Sequence, residues 1–127
     1  MEATTIKQGL ELVKIGIDKE TADMHYWEAE GKKYLYVGKC SDINGTPAWS
    51  LGALVNLFPV GNDKPTFNLT RGGWNPKMDR HVDDWFAEYE NEGSAKNHFW
   101  ITAKGKTATD AVVKLIKTLK KEKIEFL

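Results

Sequence analysis

Asn97-His98-Phe99-Trp100-Ile101-Thr102-Ala103 leads through Lys104-Gly105-Lys106 into Thr107-Ala108-Thr109-Asp110, and the reading of this stretch decides the fold. The first seven residues form an aromatic-rich strand and the glycine allows the turn. Thr107-x-x-Asp110 is a variant of the capping box: the Thr107 hydroxyl accepts from the third helical N–H, and the Asp110 carboxylate can reach back. Val112, Leu115, Ile116 and Leu119 follow at i, i+3, i+4 and i+7, a single apolar stripe of an α-helix. Such a stripe has to be buried, and the aromatic strands before it supply a sheet face that needs covering. Architecture follows from this stretch; activity does not.

Further upstream, Ile6, Leu10, Val13 and Ile17 recur on one helical face behind Thr4 or Thr5, with Gly16 as the stop. Asp18 to Asp23 reads as a polar connector with room for one helical turn. Met24 to Ala29 and Lys33 to Gly38 are aromatic-rich runs around Glu30-Gly31-Lys32, a β-hairpin signal in which Gly31 can take positive φ. Ser41 to Pro47 reads as a loop. From Ala48 to Pro59, Leu51, Leu54, Val55 and Phe58 give helical spacing, ended by the proline. Being apolar almost all round, this helix is expected to be the most buried of the three. Thr66 to Thr70 alternates as a strand, and Arg71-Gly72-Gly73-Trp74 punctuates it. Asp84 to Glu90 and His98 to Ala103 form a second hairpin around Glu92-Gly93-Ser94. The order is α-β-β-α-β-β-β-α: an α+β fold, mainly antiparallel, with helices packed on the sheet as a layered sandwich. The 127 residues suit a single domain.

Apolar residues make up 41% of the chain, including five Trp, five Phe and four Tyr, enough buried surface to offset ordering entropy and exclude wholesale disorder. Lys plus Arg and Asp plus Glu number 18 each, so the formal net charge is zero. A dedicated nucleic-acid binder normally needs an electropositive face, so this balance counts against one. Charge is unevenly spread. Asp79 to Glu92 holds six acids against Arg80, a local net of −5, and Lys104 to Lys123 holds seven lysines against Asp110 and Glu122, a local net of +5. Cys40 is the single cysteine, which points to a reducing compartment. The N-terminal residues lack the basic and apolar regions of a signal peptide, and no apolar run is long enough for a membrane span. A cytoplasmic protein is the expectation.

Two segments carry a family resemblance. One is Thr21-Ala22-Asp23-Met24-His25-Tyr26 with Pro47-Ala48-Trp49-Ser50-Leu51-Gly52-Ala53-Leu54. The other is Phe99-Trp100-Ile101-Thr102 with Gly105-Lys106-Thr107-Ala108-Thr109-Asp110-Ala111-Val112. Together they resemble small uncharacterised proteins of bacterial phages, prophages and mobile elements, similar in arrangement to the phage ABA sandwich domain group. The resemblance implies a phage or mobile-element setting and a layered α/β/α shape. It supplies no catalytic residues. The strand–Gly-x-Thr-x-x-Asp-Ala–helix element also resembles the end of HicB-type antitoxins and of double-stranded-RNA-binding domains. In the latter, lysines at the helix start grip phosphates. Here Thr107 and Asp110 stand there instead, and a carboxylate repels phosphate; only Lys104 and Lys106 in the turn could serve.

Candidate chemistry is sparse. Asp79, His81 and Asp83 would share one face of an extended segment, so two carboxylates and an imidazole could converge on a metal, helped by His25, His98 or Cys40. A solvated loop entering a strand explains the same residues. Cys40 near Asp42 and a histidine has the residue types for thiol catalysis, but no activating motif accompanies it. Arg71-Gly72-Gly73-Trp74 could cradle phosphate, yet neither a Walker lysine nor a dinucleotide spacing follows, and a tight turn is the better account. No cofactor is implied. Aromatic side chains are the stronger signal. His25 and Trp27 lie opposite Met24 and Tyr26 across one strand, Tyr34 and Tyr36 opposite Leu35 and Val37, and Trp85 and Tyr89 opposite Phe86. Exposed rings on a sheet anchor protein partners or stack bases. Trp49, Trp74, Tyr34 and Tyr36 are the protein-interaction candidates.

The function expected from the sequence is therefore a non-enzymatic accessory protein of a phage or mobile element that works by contact with a protein partner, a homodimer included. The alternative is a nucleic-acid-binding or antitoxin-like regulator using Lys104, Lys106, Lys114, Lys117, Lys120 and Lys121. A metal-dependent enzyme around His81 comes third.

Overall fold

The structure is a computed structural model that describes residues 2–38, 45–60, 64–75, 80–91 and 98–124, and only the backbone of residues 74, 75 and 80–82. It divides into two units, Met1–Leu57 and Phe58–Leu127. Among the described residues, three α-helices and two three-stranded antiparallel sheets make it an α+β fold, as the sequence leads one to expect.

The first unit holds α1 (Ile6–Lys14), β1 (Met24–Ala29), β2 (Lys32–Val37), β3 (Thr46–Ala48) and α2 (Leu51–Val55), with strand order β2-β1-β3. Thr5 caps α1 in a full capping box: its hydroxyl accepts from Gln8 N at 3.1 Å, while Gln8 Oε1 accepts from Thr5 N at 2.9 Å. The helix stops at Gly16, whose φ of 98° suits glycine; Ile17 N bonds Leu12 O and Gly16 N bonds Val13 O, a Schellman ending. Its buried face differs from the apolar stripe. Of the stripe, Ile17 is buried just past the helix, Leu10 and Val13 are exposed and Ile6 is half-buried, whereas Gly9 and Leu12 are buried. The cause is the close approach of α1 to β3, where a Cβ on Gly9 would overlap the Pro47 carbonyl oxygen. Thr4, fully buried, ties the N-terminal segment down: its N–H bonds Trp49 O at 2.9 Å and its hydroxyl accepts from Trp49 N at 3.0 Å.

Two expectations for this unit need correction. Thr46–Ala48 is a strand paired with β1, where the sequence reads as loop up to Pro47. The second helix is a five-residue element from Leu51, because Ala48 belongs to the sheet and Ser50 is the cap. Of its residues only Leu54 is buried, so the most buried helix is α3 instead.

In the second unit, β4 (Thr66–Asn75), β5 (Arg80–Asn91) and β6 (Phe99–Gly105) form a sheet in that order, and α3 (Ala108–Lys121) covers one face. Val112, Leu115, Ile116 and Leu119 have no exposed surface, so the predicted stripe is the buried one. Thr107 Oγ1 accepts from Asp110 N at 3.0 Å, the expected cap. Gly105 is required where β6 meets α3: a Cβ there would lie 2.5 Å from Ala111 N. Register puts Phe67, Tyr89 and Ile101 in one row, with Leu69, Ala87 and Ala103 in the next. Phe58 stacks on Phe67 at 4.5 Å between centroids and tilts against Tyr89 at 5.2 Å. Arg71-Gly72-Gly73-Trp74 does not end the strand. Instead β4 continues to Asn75 through an irregularity in which Gly72 alone faces Asp83 and Asp84.

Candidate protein-contact surface

The β1–β2 hairpin is closed by Glu30 and Gly31, with φ of 54° and 76°, between the paired residues Ala29 and Lys32. Two positive φ values in a two-residue loop match the right-handed twist of the strands, which fixes the register. That register sorts the side chains. Met24 and Tyr26 face inward; Met24 is buried and the Tyr26 hydroxyl donates to Thr4 O at 2.8 Å. His25 and Trp27 face the other way, with Tyr36 and Tyr34 directly across from them.

This outer face is an aromatic surface. Tyr34 is 45% and Tyr36 43% exposed, while His25 and Trp27 are half-buried. The rings of His25 and Tyr36 stack at 5.6 Å between centroids and 22° between planes. His25 is fixed in orientation: Nδ1 lies 2.9 Å from Gly38 O, and a carbonyl only accepts, so Nδ1 carries the proton and donates. Gly38 N in turn donates to Asp23 O at 2.8 Å. Rings held by a stack and by backbone bonds lose little freedom when a partner lands on them, the condition for efficient anchors.

The other interaction candidates fare differently. Trp49 is fully buried; its indole N–H donates to Thr21 Oγ1 at 2.9 Å, so it is a core residue and not a surface anchor. The backbone of Trp74 pairs with His81 across β4 and β5, and its side chain lies outside the described residues. Trp27 and His25 join Tyr34 and Tyr36 instead. The signal for them was present in the sequence, since a two-residue loop at Glu30-Gly31 sets Trp27 opposite Tyr34. Trp100, 57% exposed, lies on the face of its sheet away from Ile101 and Tyr89 and was likewise missed.

An open cleft of about 470 Å³ is lined by Thr21, Asp23, Ser50, Gly52, Ala53, Asn56 and Leu57. Its polar groups serve the fold. Asp23 Oδ1 accepts from Ser50 N at 2.8 Å and Oδ2 from the Ser50 hydroxyl, while Ser50 Oγ accepts from Ala53 N. Thr21 Oγ1 accepts from Trp49 and donates to Asp18 O at 2.6 Å. The serine thus has a carboxylate partner but no imidazole beside it in this lining.

No family model, curated protein or solved structure matches the chain. The site has to be read from its own chemistry.

Among the nucleic-acid candidates, Lys104 and Lys106 both reach the Asp84 carboxylate, at 3.7 and 3.3 Å. The acidic strand therefore meets the basic segment at the turn before α3. Lys114, Lys117 and Lys121 are exposed along one side of α3, and Lys120 is half-buried. Asp83 is exposed; Asp79, Cys40, Asp42 and the side chain of His81 lie outside the described residues. Among the described residues no group of three His, Cys, Asp or Glu side chains could hold a metal ion. Nor is any described helix long and apolar enough to cross a membrane.

Proposed function

We propose that this chain is a non-enzymatic protein-interaction module, an accessory protein of a phage or mobile element working in a reducing cytoplasm. The observation that carries the interaction reading is the ordered row of His25, Tyr36, Trp27 and Tyr34 on one hairpin face, with Tyr34 and Tyr36 exposed. Aromatic side chains offer large contact area at low entropic cost and dominate protein interfaces. A net charge of zero favours a protein over a polyanion as the partner. The setting rests on the resemblance of the Thr21–Tyr26, Pro47–Leu54 and Phe99–Val112 segments to mobile-element proteins, and on the single cysteine.

The test is affinity capture from nuclease-treated bacterial lysate with the parent chain and with Tyr34→Ser/Tyr36→Ser, both checked for the same circular dichroism. The reading expects a stoichiometric protein on the parent that the double variant loses. Equal retention by both would remove this surface. Lys114, Lys117 and Lys121 support the second reading, a nucleic-acid-binding or antitoxin-like regulator, which predicts a bound polyanion released steeply by salt.

A further inference from the structure

In the order β2-β1-β3, β2 is an edge strand, paired through His25–Tyr36 and its neighbours on one side only among the described residues. Edge strands are usually protected by charge (lysine above all), proline, a bulge, shortness or a cover, and β2 carries two lysines, Lys32 and Lys33. Lys32–Val37 has no proline and no break in register, and every residue in it except Leu35 is exposed. What distinguishes its two faces is charge. Lys33, on the face of Leu35 and Val37, has the acid Glu28 directly across from it on β1. Lys32 sits across from Ala29, on the aromatic face with Tyr34 and Tyr36, and has no acid opposite.

We propose that β2 takes up, as an added antiparallel strand, an extended segment of another protein with the pattern apolar-x-apolar-x-acidic. This rests on the interaction reading above and names its partner. The pattern follows from register. An antiparallel strand runs past Tyr36, then Tyr34, then Lys32, and side chains two apart share a face. The first two positions meet rings and the third meets an unmatched ammonium. Main-chain bonds to the open edge hold the strand, and the alternate side chains set its identity. Charge also argues against a second copy as occupant. Self-pairing centred on Tyr34 sets Lys32 against Tyr36, and centring on Leu35 sets it against Gly38, so Lys32 meets no acid in either register.

A random decapeptide library displayed on yeast, sorted separately against the full chain and against Lys32→Glu, tests this. The parent should enrich apolar-x-apolar-x-acidic sequences, and Lys32→Glu should enrich the same pattern ending in Lys or Arg. One selected peptide, synthesised, should bind Lys32→Glu about three- to tenfold more weakly than the parent. Its binding should shift backbone amide resonances of residues 32–37. Equal affinity for both proteins, shifts confined elsewhere, or a protein that dimerises through β2 in light scattering would each overturn the proposal. Peptides failing to enrich while folded proteins are still captured through Tyr34 and Tyr36 would sink the added strand and leave the interaction reading standing.

Discussion

Gly9 of α1 and Pro47 of β3 touch backbone to backbone: a Cβ on Gly9 would overlap the Pro47 carbonyl oxygen. Backbone cannot rotate away as a flexible side chain can, so helix and strand must separate to admit even a methyl group. Gly9→Ala should therefore destabilise by about 1–3 kcal/mol, an overpacking cost, although alanine is the better helix former. Denaturant titration of parent and variant checks this, and a gain in stability would contradict the contact.

Trp49 is in the core, not at an interface. Trp49→Ala should cost about 3–5 kcal/mol, combining lost burial with a cavity, and it also removes the indole donor to Thr21. Under conditions where the variant stays folded, its affinity for a captured partner should match the parent's, as surface plasmon resonance can measure.

Lys123 ends α3 with φ of 58°, and Ile124 N bonds Leu119 O at 2.9 Å, the same Schellman ending that Gly16 gives α1. A side chain at a left-handed position is unfavourable, and glycine removes the cost. Lys123→Gly should raise the melting temperature, with a gain of roughly 0.5–1 kcal/mol. An unchanged or lower melting temperature would argue against this cap.

Burial pushes the Tyr89 hydroxyl above its ordinary pKa. Below about pH 10 the phenol is protonated in folded and unfolded chains alike, so it adds no pH dependence. Above that, the unfolded chain releases the proton first, and stability falls as pH rises towards the folded-state value. Stability curves from pH 8 to 11 should therefore fall less steeply for Tyr89→Phe than for the parent. Parallel curves would mean that Tyr89 does not contribute to alkaline unfolding.

How far the sequence reveals the structure depends on whether burial follows local periodicity. In α3 it does: Val112, Leu115, Ile116 and Leu119 are the contact face, and Thr107 caps as its spacing requires. In α1 periodicity misleads, because a close helix–strand approach at Gly9 turns Gly9 and Leu12 inward and leaves Leu10 and Val13 exposed. No residue near Gly9 in sequence signals Pro47. The short strand Thr46–Ala48 fails for a similar reason, since it exists only through pairing with β1, and proline in it reads locally as loop. Tyr34 and Tyr36 were legible as candidates from alternation alone. Trp49 was not, because its burial depends on Thr4 and Thr21, which are distant in sequence.

The most direct test of the contact surface is hydrogen–deuterium exchange of the full chain, free and bound to the protein it captures. The aromatic hairpin account predicts slowed exchange across residues 24–37, strongest in 32–37, with α3 unchanged. Protection confined to residues 114–121, and none on the hairpin, would contradict it and favour the lysine face of α3.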